Sequence, residues 1–556
     1  MQIPSHIHAT LGFLVVGIAS AVAPPTLGQV PDKAKVVAGA ERAFEKAAKT
    51  NPMPAPGCGV GVSLNGESVF EKAFGMAEME HNIPNTAQTI FESGSVAKQF
   101  TAAALVLLQQ DGKLKIDDDV RKYVPELPEY GKPITIRHIL THTSGLRDWG
   151  AVMSLTGAGR GDRVITQDIA FDVVIRQKAL DFKPGAEYSY SNSGYQLATI
   201  IIERVSKQKF ADFVAERLFK PLGMKNSSWR DDYRRLVPGR AQAYTRQGAT
   251  GGWRLNMPFM NVVGNGGMLT TIGDWLKWNA MLDSRSFNPK LVDELETQAV
   301  LNDGLKINYA LGMDVTAYKG IKRISHQGET AGYRTFLARY PEKKLSVALL
   351  CNGSPPFAVD IVDDLVDEIL GPFPAGLDES DYALMTAETL QKYVGVWRDE
   401  RTRAPVRFTV ENGILTLNGA RLRPVAEGAF AYDSSRVEFT VDKAGRLVGR
   451  EVDGNGLVHA FFREPQWVPT AAELSSLAGE WYSDEAQAKF TFAIEGDKAY
   501  IVIKPNLRLP LQPVYKDHFA ASDYVAWFTR DRAGKIDNLH VGAWRMRDIA
   551  FERVSR

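Results

Sequence analysis

Ser95 and Lys98 stand three residues apart at the start of an apolar-periodic run, and this pair is the strongest chemical signal in the sequence. The spacing predicts that both side chains lie on one face of a helix. A serine hydroxyl is a poor nucleophile at neutral pH, but a desolvated neighbouring amine can serve as its base. The helix N-terminus would direct backbone N–H groups at an oxyanion. The alternative interpretation is a helix cap followed by a solvated lysine.

A polar aromatic loop at residues 188–195 is the second signal, and it directly precedes an apolar helical pattern. Residues two apart in an extended loop point the same way, so Tyr190 and Asn192 can present a phenol and an amide side by side. The same loop could present Tyr188 instead of Tyr190. The simpler alternative is a surface loop in which Asn192 or Ser193 caps the following helix.

His326 is the third signal, because it follows a strand-like run at residues 321–324 and begins a His-Gln-Gly sequence. Gly328 would let a substrate approach the backbone closely. Histidine suits catalytic work near neutral pH. A single histidine is more often structural or solvent-facing, so this element gains its meaning only in combination with the other two.

These groups need a scaffold, and residues 33–370 supply one that mixes strand-like runs with amphipathic helices. This pattern predicts an α/β (α+β) domain with an antiparallel sheet flanked by helices. Asn-Gly supplies the positive φ values of a two-residue turn, so it marks a hairpin. The sheet is expected to use both ends of this region, with helices inserted between them. The predicted elements are hairpins at residues 59–70 and 335–350 and helices at 99–111 and 195–206.

The chain of 556 residues is too long for one core, so two or three domains are expected. Pro372, Pro374 and Gly376 interrupt the pattern and predict a linker. We assign the domain that carries Ser95, Tyr190 and His326 to residues 29–375.

A repeat follows the linker: Gly395 and Trp397 recur as Gly479 and Trp481, each in a Gly-x-Trp sequence. Each copy then shows short alternating strands separated by turns, which predicts two small antiparallel β-barrels. Neither copy contains a nucleophile motif or a metal-ligand cluster, so we interpret both as scaffolding or substrate-gating modules. The predicted barrels span residues 385–466 and 467–556.

Charge is balanced, with 66 Lys and Arg against 65 Asp and Glu. No large basic field is available for nucleic acid or anionic lipid, so the expected partner is a small molecule or short peptide. The apolar run at residues 11–23 ends in Ala-Val-Ala, and residues 1–28 are predicted to be a signal peptide. The protein is then periplasmic or secreted, without stable membrane insertion after signal removal. An uncleaved N-terminal anchor is the alternative.

Cys58 and Cys351 cannot form a disulfide framework, and we expect two buried thiols in separate strands rather than one bridge. His138 and His142 are four residues apart but lack a third ligand at helical spacing, so no metal is expected. The glycine cluster at residues 264–267 does not have the form of a nucleotide-binding loop. No cofactor is predicted.

The three motifs in this order resemble the serine β-lactamase/penicillin-binding-protein superfamily, in its class C-like branch with D-aminopeptidases, DD-carboxypeptidases and esterases. The resemblance covers roughly residues 33–370, and the stretches at 134–146 and 264–271 also look like the family. It implies that Ser95 is acylated and that Lys98 accepts its proton. Tyr190 would carry a proton to and from the leaving group, and Asn192 would hold Lys98 and the substrate amide.

The resemblance also implies an oxyanion hole made by the backbone N–H groups of Ser95 and Glu329, with Gly328 beside them. True class C β-lactamases carry Lys-Thr-Gly at the third motif, where this chain has His326-Gln-Gly. The ammonium that would bind a substrate carboxylate is therefore absent. Histidine there is similar to the D-aminopeptidase and esterase members, so His326 is counted with the catalytic residues. Two C-terminal lipocalin-like barrels further resemble D-aminopeptidases.

The leading hypothesis is an exported peptidase acting on small peptides, including D-residue, N-terminal or linearised cyclic ones. A carboxylesterase is the first alternative, since an acyl-enzyme forms with either leaving group. A penicillin-binding DD-carboxypeptidase or sensor is the second. In the third alternative, the barrels carry hydrophobic ligands and the first domain has no activity. The sequence is also compatible with a homodimer.

Overall fold

The computed structural model describes residues 30–51, 53–157, 163–248, 251–354, 358–373, 385–504, 507–521 and 523–554. The predicted signal peptide at residues 1–28 lies outside the described residues, and so do Pro374 and Gly376 of the predicted linker.

The first part of the chain alternates helices and strands, as the sequence pattern predicts. Its described helices are α1 (Lys33–Thr50), α2 (Lys98–Gln110), α3 (Ile136–Leu140), α4 (Trp149–Ser154), α5 (Gln167–Ile175), α6 (Asn192–Ser206), α7 (Phe210–Val214), α8 (Ile272–Ser284), α9 (Pro289–Glu296) and α10 (Ala358–Leu370). Its described strands are β1 (Cys58–Leu64), β2 (Glu67–Phe74), β3 (Met76–Glu78), β4 (Ile83–Pro84), β5 (Phe91–Glu92), β6 (Ser228–Trp229), β7 (Tyr244–Arg246), β8 (Trp253–Leu255), β9 (Met268–Thr270), β10 (Asp314–Tyr318), β11 (Ile321–Thr330), β12 (Tyr333–Tyr340), β13 (Leu345–Cys351) and β14 (Gly353–Ser354).

A six-stranded antiparallel sheet forms the centre of this part, in the order β10-β11-β12-β13-β1-β2. Strands from both ends of the region therefore lie side by side, as predicted. Asn65 and Gly66 both have positive φ, 53° and 80°, so the β1–β2 turn has the twist that a tight hairpin requires. The second predicted hairpin is β12–β13.

Both faces of the sheet are covered, which explains why β1 and β13 are buried along their whole length. Val347 and Leu349 pack with α1 and α10, whereas Ala348 and Leu350 belong to the core on the side of α2 and α8. Alternate residues of a strand point to opposite faces, so one apolar strand serves two cores.

The prediction of two free thiols is wrong, because Cys58 and Cys351 form a disulfide. These residues end up directly opposite each other in the β1–β13 ladder, with their Cα atoms 4.0 Å apart. The sequence analysis placed them in separate strands correctly, but it could not show that those strands are neighbours with this register.

The C-terminal part consists of two barrel-like sheets, each with one short helix before its first strand. The first contains α11 (Ala387–Gln391), β15 (Gly395–Asp399), β16 (Pro405–Glu411), β17 (Ile414–Leu417), β18 (Ala420–Arg421), β19 (Arg423–Ala426), β20 (Ala429–Tyr432), β21 (Ser435–Val441), β22 (Leu447–Val452) and β23 (Val458–Arg463). The second contains α12 (Ala471–Leu477), β24 (Gly479–Ser483), β25 (Ala488–Glu495), β26 (Lys498–Lys504), β27 (Leu507–Tyr515), β28 (His518–Ala521), β29 (Tyr524–Arg530), β30 (Ile536–Ala543) and β31 (Met546–Arg553).

The second sheet is a closed barrel, as predicted, and has eight strands. The first is a nine-stranded sheet with β18 and β19 at its two ends. Because these two strands are neighbours in sequence, the sheet curls until it is nearly closed. The repeated Gly-x-Trp sequence has one structural role in both: Trp397 and Trp481 are fully buried, and an arginine from the last strand lies over each indole.

The closed barrel is fixed to the first domain by a buried arginine. Arg147, 4% exposed, donates to Glu485 of the barrel at 2.6 Å and lies 3.2 Å from Asp181 of the first domain. Its Nη2 also donates to the backbone oxygen of Asp548. A buried ion pair that loses one partner leaves an uncompensated charge, so this contact fixes how the barrel is placed. Within the described residues, no helix is both long and apolar enough to cross a membrane.

Replacing both cysteines by alanine is expected to reduce the free energy of unfolding by about 2–5 kcal/mol, because the bridge closes a loop across 293 residues in the unfolded chain. Urea unfolding with and without a thiol reductant measures this effect. The reductant should lower the midpoint of the wild-type protein and leave the double variant unchanged. Equal midpoints for the oxidised wild type and the variant would contradict the expectation.

Candidate active site

Ser95 lies in a short 3-10 turn, Gly94–Ala97, that leads directly into α2. Residues three apart are stacked in such a turn, so Ser95 and Lys98 are brought together. The Ser95 Oγ atom is 3.1 Å from Lys98 Nζ. Ser95 is partly exposed, whereas its neighbours in residues 91–100 are buried. The hydroxyl is therefore the group of this segment that a substrate can reach.

The Lys98 side chain is fully buried, and its amine contacts oxygen atoms of two other segments in addition to Ser95. Nζ lies 2.8 Å from Asn192 Oδ1 and 2.6 Å from the backbone oxygen of Asn265. A buried amine is costly unless such acceptors are present. The predicted contact between Lys98 and Asn192 is thus present in the structure.

Asn192 is the first residue of α6, and its position is fixed by Asp148 rather than by a cap within its own loop. Its backbone N–H and its side-chain amide both donate to Asp148 Oδ2, at 2.7 and 2.8 Å. The remaining amide oxygen is left to face Lys98. A carboxylate at a helix N-terminus is favourable, so Asp148 also explains why α6 starts three residues before the predicted position.

The phenol beside this cluster is that of Tyr190, whose ring centroid is 4.9 Å from Lys98 Nζ. Burial raises the pKa of its hydroxyl, while interaction with Ser95 and the charge of Arg545 oppose the shift. Tyr190 is therefore a neutral phenol at physiological pH. Tyr188, the alternative from the same loop, packs against the rings of His142 and Tyr309 instead.

His326 faces the same cavity, but both of its ring nitrogens have partners. Nδ1 is 2.6 Å from the backbone oxygen of Gln327, which can only accept, so this nitrogen carries the proton. Nε2 then accepts from the hydroxyl of Tyr309 at 2.9 Å. Burial, reinforced by the charge of Lys98, lowers the pKa of His326 to about 3. The imidazole is therefore neutral.

The Ser95 turn and β11 approach each other through two glycines. A Cβ on Gly94, whose φ is 51°, would lie 2.4 Å from the backbone nitrogen of Glu329, and one on Gly328 would lie 2.1 Å from the backbone oxygen of Ser93. Only glycine permits this contact. β10 pairs with β11 only as far as Ser325, so the rest of that edge of β11 is turned towards the Ser95 segment.

Ser95, Tyr190, Asn192, His326 and Glu329 all line one cavity of about 740 Å³. The structure thus brings together residues that the sequence places more than 230 positions apart. Among the described residues, the one group of His, Asp and Glu side chains close enough to share an ion is Glu78, Glu80 and His81. That group lies outside the cavity.

The family model for Beta-lactamase matches residues 47–371, which is more than half of the chain. The chain belongs to the beta-lactamase family. Two curated proteins that are similar to this chain are D-aminopeptidases. One from Gluconobacter oxydans (strain 621H) is 25% identical over 530 residues, covering 90% of this chain and 96% of that protein. One from Brucella anthropi is 24% identical over 531 residues, covering 90% and 95%.

Solved structures agree with the fold of this beta-lactamase-family chain. An octameric penicillin-binding protein homologue from Pyrococcus abyssi has a TM-score of 0.54 and 23% identity, covering 86% of this chain and 100% of that one. A D-amino acid amidase from Ochrobactrum anthropi SV3 has a TM-score of 0.50 and 22% identity, covering 61% and 99%. The family and the site together make the chain a serine hydrolase.

The last hairpin of each C-terminal sheet of this beta-lactamase-family protein lies at or next to the cavity. Trp544 and Arg545, between β30 and β31, line it directly. In the first sheet, Gly454 and Asn455 between β22 and β23 hydrogen-bond to Asn308, next to the cavity residue Tyr309. The two barrels therefore do more than provide a distant scaffold.

Glu187 explains how the loop with Tyr188 and Tyr190 is held between the two sheets. It pairs with Arg401 of the first sheet and Arg547 of the closed barrel, both at 2.9 Å. Glu187 directly precedes the segment with Tyr188 and Tyr190, so its two salt bridges restrain the phenol.

Several residues that line the cavity or hold its lining residues in place carry no signal in the sequence. Asp148, Asn265, Tyr309, Asp314 and Arg545 stand outside any spacing pattern that links them to Ser95. Only Asn265 belongs to a stretch that the family resemblance highlights. Their positions depend on loops and on barrel docking.

Asp314 has an unusual environment, because it lines the cavity and no described residue provides its carboxylate with a hydrogen bond or an ion-pair partner. Burial raises its pKa to about 7, and the more remote charge of Arg323 opposes the shift only in part. The carboxylate also raises the pKa of Tyr188 and Tyr190.

Asp314→Asn is expected to stabilise the protein at pH 8 and to have little effect at pH 4. The carboxyl is protonated in the folded state up to about pH 7 but ionises in the unfolded chain near pH 4. Wild-type stability therefore falls as pH rises between these values, by at most about 4 kcal/mol. Urea unfolding at both pH values checks this. A variant that gains no more stability at pH 8 than at pH 4 would contradict the raised pKa.

Proposed function

We propose that the chain is an exported serine peptidase that cleaves short peptides, including those with D residues, through an acyl-enzyme on Ser95. The observation that carries the proposal is the 3.1 Å separation between Ser95 Oγ and the buried Lys98 Nζ. The D-aminopeptidases that align with 90% of the chain support the peptide substrate. Export rests on the apolar run at residues 11–23.

The proposed reaction starts from the form of the enzyme in which Lys98 is an unprotonated amine. This amine accepts the Ser95 proton while Oγ attacks the substrate carbonyl. Tyr190, a neutral phenol, donates its proton to the leaving nitrogen as the C–N bond breaks, and is reprotonated from Lys98. The acyl-enzyme is then hydrolysed by water through the same groups in reverse. Acyl transfer of this kind needs a base within hydrogen-bond reach of the nucleophile, and Lys98 satisfies that requirement.

The backbone N–H groups of Ser95 and Glu329 are proposed to bind the oxyanion. The close approach of Gly94 and Gly328 supports this assignment, because it brings the Glu329 nitrogen next to the serine turn. Donors of this kind are worth about 10²–10³ in rate. His326, neutral and held by Tyr309, is proposed to contribute as a fixed polar wall of the site rather than as a proton carrier.

Ser95→Ala is expected to lower turnover of a short-peptide anilide by at least about 10³-fold and to abolish a covalent adduct seen by intact-mass spectrometry. Ser476→Ala is a matched control, because it removes an exposed serine in α12, away from the cavity. Full turnover by Ser95→Ala would exclude the acyl-enzyme. Stable labelling of Ser95 by a penicillin without turnover would instead favour the penicillin-binding alternative. Faster hydrolysis of a nitrophenyl ester than of the anilide would favour the carboxylesterase.

Tyr190→Phe is expected to slow hydrolysis of a peptide anilide by about 10²–10⁴-fold, because the leaving amine loses its acid. The loss should be much smaller for a nitrophenyl ester, since nitrophenolate leaves without a proton. Measuring kcat for both substrates tests this role. The same change at Tyr188 should cost less, and a larger effect at Tyr188 would transfer the assignment to that residue.

A further inference from the structure

Three arginines line the cavity, and their electrostatic environments differ. Arg230 is paired with the buried Glu92 at 2.9 Å, and Arg334 lies 3.5 Å from Glu329. For Arg545, the described parts of the chain provide no carboxylate within salt-bridge distance. Its Nε atom is buried and has no hydrogen-bond partner among the described residues. A guanidinium that faces a substrate cavity without a carboxylate within salt-bridge distance is suited to bind an anion that the substrate brings.

Arg545 is held firmly in place. Its backbone oxygen accepts a hydrogen bond from the N–H of Asp148 at 3.0 Å, and Asp148 is the residue that fixes Asn192. The guanidinium lies over two rings, 4.7 Å from the centroid of Tyr190 and 4.3 Å from that of Trp544. Stacking on aromatic faces pre-orients the planar group, and the in-plane N–H groups of a guanidinium match the two oxygens of a carboxylate.

The position of Arg545 beside Tyr190 indicates which part of the substrate it meets. In the proposed reaction Tyr190 donates its proton to the leaving nitrogen, so the leaving residue lies on this side of the cavity. The distance from the guanidinium to the phenol ring, 4.7 Å, is comparable to one residue length of about 3.8 Å. An anion one residue beyond the scissile bond is therefore within its reach.

We propose that Arg545 binds the α-carboxylate of the residue that leaves, so that the preferred substrates are peptides ending one residue after the scissile bond. This inference rests on the proposed function. It places a specificity residue for the hydrolase site on the C-terminal barrel. The third motif lacks the lysine that binds a substrate carboxylate in class C β-lactamases, and Arg545 supplies a cation from a different direction.

A different role for Arg545 would be to orient Tyr190 by stacking alone. The two roles are separated by the ratio of kcat/KM for two substrates that differ only in the carboxylate. Loss of an orienting contact slows both substrates equally, because Tyr190 acts on both. Loss of a carboxylate ligand slows the acid and leaves the amide nearly as it was, which changes the ratio.

The experiment compares D-alanyl-alanine with its C-terminal amide. We expect the wild-type protein to prefer the free acid by roughly 10- to 100-fold in kcat/KM, as for a charge-assisted hydrogen bond. Arg545→Gln should reduce this ratio to near 1, mainly by raising KM for the acid, and Arg545→Lys should keep part of it. Arg532→Gln, which removes an equal charge from an exposed turn of the same barrel, should keep the wild-type ratio.

A ratio near 1 in the wild-type protein, or an unchanged ratio in Arg545→Gln, would overturn the inference. A proportional loss for both substrates would assign Arg545 to orienting Tyr190 and would equally overturn it. Thermal unfolding of each variant identifies any loss of activity that is caused by misfolding. If Arg545→Gln misfolds, the acid-to-amide ratio of Arg545→Lys decides the question. Failure of the proposed function has a different signature, since the wild-type protein would then form no acyl-enzyme with either peptide.

Discussion

A lysine without solvent exposure imposes the main constraint on this structure. The Lys98 amine needs oxygen partners where water is excluded, and it finds them in Ser95, Asn192 and the backbone of Asn265. These partners come from the turn before α2, the start of α6 and the loop before β9. Satisfying one buried polar group therefore fixes three separate segments relative to each other, and the same three segments form the floor of the cavity.

The constraint extends outward through Asp148. Its carboxylate orients Asn192, its backbone N–H binds the carbonyl of Arg545, and the adjacent Arg147 forms the buried ion pair with the closed barrel. Two consecutive residues, Arg147 and Asp148, thus join the start of α6 to the closed barrel and its last hairpin. A small shift of the barrel would be transmitted to the amide that faces Lys98, so the C-terminal domain and the site have to be considered as one unit.

The internal repeat shows how similar folds acquire different roles. Both sheets keep the buried tryptophan and the arginine over it, and both direct their last hairpin at the first domain. The turn of the first sheet's last hairpin contains Gly454 and Asn455. The Gly454 backbone oxygen accepts a hydrogen bond from the Asn308 side chain, and Asn455 Oδ1 accepts one from the Asn308 backbone N–H. The hairpin of the closed barrel carries Trp544 and Arg545 into the cavity. One copy supports the wall and the other forms part of it.

The sequence by itself determined the groups whose relation is local. Ser95 and Lys98 share one turn, Tyr190 and Asn192 share one loop, and hydrophobic periodicity indicated the hairpins, the helices and the barrels. Contacts between distant segments were decided by the tertiary structure. The Cys58–Cys351 bridge depends on strand order and register. Asp314 and Arg545 reach the cavity, and Asp148 reaches Asn192, only through loop paths and barrel docking. Periodicity and spacing report on neighbours along the chain, whereas these contacts depend on how separate elements pack, which no local pattern encodes.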